Sequence, residues 1–243
     1  MFMLRRVPFP LVIAALTFGC SREASVQAPR PERTKPTFEL FQTSSESPSR
    51  MPIYITPYYD SDGPSVDVGP ISTELTSLTC DRAHELCERL RSEWTELPVE
   101  VMYVLSIRLY DLGEKDRAVY WFYAATYRAR LLKALTLHAD QRPAFDRIQA
   151  QFAFHKLAGE YINGYAYGNP EPLVVTLKSI KRDAEVIPDF QSVYPELEFV
   201  DRELWEGHNR KLAAGLDQLI NYVSTNGEQI KLMRKNNGTE GKY

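Results

Sequence analysis

The sequence predicts an all-α fold built of antiparallel helical hairpins, with a short β-hairpin or extended arm before the first helix. Three observations carry this. Apolar residues recur at helical spacing in segment after segment between Thr79 and Val223. Strand-like alternation occurs only over Met51–Gly69. Of the chain's 243 residues, 44% are hydrophobic and 12% aromatic, enough for a sizeable core.

The arm comes first. Ile53, Ile55, Val66 and Val68 alternate around the turn signal Asp60-Ser61-Asp62-Gly63-Pro64. The D-x-D-G triplet lacks the later ligands of a calcium loop and reads as a plain turn.

Thr79–Leu97 reads as a helix with the stripe Ala83, Leu86, Cys87, Leu90 and Trp94. If Cys80 and Cys87 share that helix they are about 10.5 Å apart along its axis, beyond disulfide reach. A bond between them requires the helix to start after Cys80. His84 and Glu88 stand at i, i+4 beside Cys87. A metal site needs three or four ligands, and the remaining histidines are scattered, so no metal ligand and no cofactor is assigned.

Pro98–Leu112 is apolar almost all round, which predicts a buried helix. Gly113 then supplies the positive φ that ends it. Glu114–Leu137 is the predicted central helix. It carries the aromatic block Tyr120, Trp121, Phe122 and Tyr123, with Ala118, Trp121, Phe122, Ala125, Ala129, Leu132 and Leu135 on one face. Pro143–Ala158 follows as an amphipathic helix, with Phe145, Ile148, Phe152 and Leu157 as its apolar contacts.

Glu160–Pro170 sets Tyr161, Tyr165 and Tyr167 among Gly159, Gly164 and Gly168. It reads either as a binding loop or as an aromatic connector packed on the core. Glu171–Ile187 and Glu198–Val223 complete the helices, and Gly227–Tyr243 reads as a frayed polar tail.

The pair 98–112 and 114–137 resembles one tetratricopeptide-type repeat, through Leu105, Ser106, Ala118, Phe122 and Ala125. The resemblance covers one repeat and implies an antiparallel pair. The block Trp121–Arg130, with Ile162–Asn169 downstream, is similar to an uncharacterised family of bacterial helical lipoproteins. That family has no assigned activity, so the similarity implies a fold and no site.

The N-terminus points to export. Arg5 and Arg6 precede the apolar run Val7–Phe18, too short to span a bilayer, and Gly19-Cys20 closes it. The junction resembles a lipobox, which implies a lipid on Cys20 and a place in the periplasm on a bacterial membrane, with the outer membrane favoured. The alternatives are an ordinary cleaved signal and an uncleaved anchor. Ser21–Arg50, rich in Ser, Pro, Thr and charge, reads as a flexible tether, and 51–226 as one helical domain.

No nucleophile elbow, phosphate loop, dinucleotide fingerprint or paired C-x-x-C is present. The net charge of −3 gives no strong field toward nucleic acid. The reading is therefore a lipid-anchored envelope protein that binds a protein partner, a toxic protein being one form of partner. The alternative is an envelope enzyme acting on a polymer or lipid. Arg128, Arg130, Tyr161, Tyr165 and Tyr167 form the candidate interaction face. Arg128 and Arg130 are two apart on a helix, so both cannot enter the core. One at least should face solvent or a carboxylate of another element.

Overall fold

A computed structural model describes residues 50–52 and 65–243, with side chains from Val68 onward. Cys20, the tether over 21–49 and the turn signal over 60–64 lie outside the described residues. The arm is present as two antiparallel strands, β1 (Arg50–Pro52) and β2 (Ser65–Asp67), with Met51 opposite Val66.

A 3-10 turn over Gly69–Ile71 leads into α1 (Ser72–Thr76). Helix α2 (Cys80–Ser92) buries Ala83, Leu86, Cys87 and Leu90, at successive intervals of three, one and three residues, which is one helical face. The helix starts at Cys80 itself. Both cysteines therefore sit on one helix and both are free. The Cys80 thiol donates to the Leu112 carbonyl at 3.4 Å, and burial pushes the Cys87 thiol up from its ordinary pKa. A second 3-10 turn, Trp94–Glu96, ends this segment earlier than the sequence suggests.

Helix α3 (Val99–Asp111) is buried from Val99 through Ile107 and again at Leu109, as an all-round apolar helix must be. Gly113 ends it at φ +85°. Its N–H donates to the Tyr110 carbonyl at 3.0 Å, and the Glu114 N–H donates to the Leu109 carbonyl at 2.9 Å. Both orphan carbonyls of the last turn are thereby satisfied, and the chain reverses at once. Helix α4 (Lys115–Leu135) then runs back against α3. This is the antiparallel hairpin that the repeat resemblance implies.

Helix α5 (Ala144–Ala166) packs antiparallel to α4: contacts pair Asp116 with Tyr165 at one end and Thr126 with His155 further along. It continues as helix through Ala166, so Tyr161 and Tyr165 stand on α5, and Tyr167–Asn169 form the connector to the next helix. Its buried side is Ala144, Ile148, Gln151, Phe154, Ala158, Ile162 and Ala166. Phe145 and Phe152, expected as core contacts, flank that stripe and stay 43% and 49% exposed. Phe154 takes the core place instead. It stacks on Tyr103 at 5.6 Å, and Tyr103 meets Phe122 edge-on at 5.9 Å.

Helix α6 (Pro170–Asp183) starts with proline in its first turn, where no N–H is missed. After the short α7 (Phe190–Val193), the chain crosses the end of α4, where the Leu137 N–H donates to Glu198 and the Val200 N–H to Leu135. Helix α8 (Arg202–Asn236) then packs antiparallel to α6, with Lys181 on Asp217 and Lys231 on Glu171. It passes Gly207 and Gly215 without a break and continues into the segment expected to fray. Its one irregular residue is Asn226.

Candidate functional site

Arg128 does not belong to an interaction face. It is 1% exposed, and its guanidinium lies 4.3 Å over the Trp94 ring. It donates to the backbone carbonyls of Trp94 and Leu97. Among the described residues no carboxylate pairs with it, and it is closed off from solvent. Burial brings it down to a pKa of about 10. Its place is structural: it caps the end of the second 3-10 turn and ties that turn to α4.

Arg130 is two residues on, about 200° around the helix, and is exposed. The tyrosines are elsewhere. Tyr165 donates to Asp116 at 2.9 Å, at the start of α4. Arg130 stands 14 residues beyond Asp116, about 21 Å along the axis. Tyr161 meets Tyr110 and Tyr243 edge-on at 6.2 and 6.1 Å, and Tyr167 packs half-buried beside Tyr123. The five residues expected to share one face therefore lie in three places.

Arg130 instead opens onto a different feature. A slot of about 60 Å³ lies between α4 and α5, lined mainly by Tyr103, Thr126, Ala129, Ile148, Phe152 and His155. Arg130, Lys133 and Gln151 complete its wall, and no Asp or Glu contributes. Lys133 lies over the Phe152 ring at 5.1 Å. Arg130 and Lys133 are one turn apart, so their side chains leave the helix on the same side.

The inner end of the slot is a hydrogen-bonded chain. Thr126 donates its hydroxyl proton to the Phe122 carbonyl at 2.8 Å. Its oxygen then accepts, with Tyr103 Oη and His155 Nδ1 each 3.3 Å away. This arrangement assigns the Nδ1–H tautomer to a neutral His155 and leaves Nε2 as an acceptor. The imidazole stacks on Phe122 at 5.2 Å. Burial first, and the nearby Arg130 charge second, hold it below the ordinary histidine value. Burial also pushes the Tyr103 phenol up to about 12.

Behind the slot, Gln151 reaches a buried ionic network. It donates to Glu100 Oε1 at 3.2 Å, and Glu100 is 7% exposed. Arg147 at 3.0 Å and the Tyr194 hydroxyl at 3.0 Å complete the carboxylate's partners, and Tyr194 accepts the Val99 N–H at 2.7 Å. Arg147 also pairs with Glu196. This network walls a groove of about 560 Å³ that also meets Glu74, Arg89 and Glu93. Arg89 pairs with both of those acids. The charges in the groove are thus committed to one another. Among the described residues no group of three His, Cys, Asp or Glu side chains converges to hold a metal.

Sequence reasoning named Arg130 and missed the rest of this site. The pair Arg130 and Lys133 at i, i+3 was visible. Gln151 and His155 carried no signal, because their neighbours come from α3 and α4.

Comparison with known proteins adds one likeness. No protein-family model matches the chain, and no solved structure matches it. Over 139 residues it is 27% identical to a protein of Haemophilus influenzae described as uncharacterised, in an alignment covering 54% of this chain and 53% of that protein. The chain thus spans about half the length of the curated relative it matches.

Proposed function

We propose that this chain is a helical binding protein of the bacterial cell envelope. A lipid on Cys20 holds it to a membrane, and the α4–α5 face engages a partner protein. One observation carries the binding reading. Phe145 and Phe152, seven residues apart on α5, stand 43% and 49% exposed, and the slot beside Phe152 carries Arg130 and Lys133. No ion pair among the described residues includes either cation, whereas Arg147 on α5 is held by two glutamates. Exposed aromatic rings next to uncommitted cations are the composition of interface anchors. The glutamates of the neighbouring groove are instead held by Arg89 and Arg147. Among the described residues no helix is long and apolar enough to cross a membrane.

The test has two arms. Labelled fatty acid should enter the wild type and not Cys20→Ala, and the variant should leave the membrane fraction. Site-specific photocrosslinkers at 145 and 152 should trap an envelope protein that Phe145→Ser/Phe152→Ser no longer retains, at unchanged melting temperature. Equal labelling of both proteins would remove the anchor. Equal retention by wild type and double variant would remove the binding face.

A further inference from the structure

We propose that the slot between α4 and α5 binds a short aliphatic carboxylate, with its chain against Ile148 and Phe152 and its charge on Arg130 and Lys133. The inference rests on the reading of α4–α5 as a binding face and names the chemistry that face takes.

Size and lining fix the body of the ligand. The cavity of about 60 Å³ has room for the last few carbons of an aliphatic chain, with the head group left at the opening. Ala129, Ile148 and Phe152 give it apolar walls. An aliphatic chain of a few carbons fits against these walls.

Charge fixes the head group. Two cations one turn apart stand at the slot with no acid in its lining. Lys133 is steered by the Phe152 face, so its ammonium is held near the opening. A carboxylate there receives charge-assisted hydrogen bonds from a guanidinium and an ammonium at once. His155 is neutral and its Nδ1 is turned to Thr126, so the site offers two positive charges. A carboxylate can take both, one on each oxygen. The chemistry is shared by a free short-chain acid and by the C-terminal residue of a polypeptide ending in Leu or Val.

Calorimetry on the purified full chain separates these. The probes are hexanoate, hexanol, and a tripeptide ending in leucine as its free acid and as its amide. Hexanoate should bind roughly tenfold or more tightly than hexanol, the span expected when charge-assisted hydrogen bonds are lost. Arg130→Gln/Lys133→Gln should abolish that preference, and Ala129→Met, which fills the slot, should remove binding of both probes. All three substituted positions lie at the surface or half-buried, and melting curves check that the variants are folded. Free-acid peptide binding above the amide, with hexanoate weak, assigns the ligand to a polypeptide terminus; the reverse assigns it to a free acid. Equal affinity for hexanoate and hexanol, or a double variant that binds as wild type, overturns the proposal. If every carboxylate fails while Phe145→Ser/Phe152→Ser still loses the crosslinked partner, the slot is wrong and the binding face stands.

Discussion

The guanidinium of Arg128 lies 4.3 Å over the indole of Trp94 and donates to the carbonyl of that same residue. One side chain thereby reads both the ring and the backbone of its partner. With the Leu97 carbonyl as second acceptor, it fixes the path between α2 and α3 against the middle of α4. The contact puts a positive charge in the core, solvated by two carbonyl dipoles and a π face.

Arg128→Ala should therefore destabilise the chain by about 3 kcal/mol or more, because two buried carbonyls lose their donor and a cavity opens. Arg130→Ala should cost under about 0.5 kcal/mol. Urea denaturation midpoints decide it, and similar midpoints for the two variants would refute the structural role of Arg128.

Phe122, fully buried, touches Tyr103, Tyr123 and His155. Phe122→Ala should cost about 3–5 kcal/mol through lost burial and the residual cavity. Exposed Lys178→Ala serves as the control, expected within about 0.5 kcal/mol of wild type. Thermal unfolding of both variants checks the pair.

Stability should fall on mild acidification. The folded state holds His155 below the ordinary histidine value, so between the two values the unfolded chain binds the extra proton. The contribution of His155 is therefore complete above about pH 6.5 and is lost as pH drops from there toward the folded value. His155→Gln should flatten the change in melting temperature between about pH 7.5 and 5.5 relative to wild type. An identical pH slope for both would exclude His155 as its source. Tyr103 and the other buried phenols titrate far above this window and do not contribute.

A Cβ at Gly164 would come within 2.5 Å of the Tyr243 ring. Gly164→Ala should accordingly displace the Tyr243 ring while leaving α5 at least as stable, since alanine is the better helix former by about 1 kcal/mol. Faster nitration of Tyr243 by tetranitromethane, read by mass spectrometry, with an unchanged or raised melting temperature is the expected pair of results. Unchanged nitration would show that the ring does not rest on this glycine.

Local pattern was enough for much of the architecture. The stripe of α2, the all-round apolar α3, the positive-φ glycine between α3 and α4 and the aromatic block of α4 are each properties of one segment, and each stands where sequence periodicity puts it. The phase of α5 was harder. Phe145 and Phe152 share a face at helical spacing, but so do Ile148, Phe154 and Ala158, and only the position of α3 and α4 selects the second set as core. Glycines made Glu160–Pro170 look like a loop or connector, and polar composition made Gly227–Tyr243 look like a tail. Packing against α4 and α6 keeps them helical through Ala166 and Asn236, because buried contacts outweigh the propensity lost at single glycines. The sequence by itself determined the helices, their hairpin order and the rule that Arg128 and Arg130 must part. Which arginine goes inward was decided by tertiary structure, since Trp94, Leu97 and the slot around His155 are assembled from elements far apart in the chain.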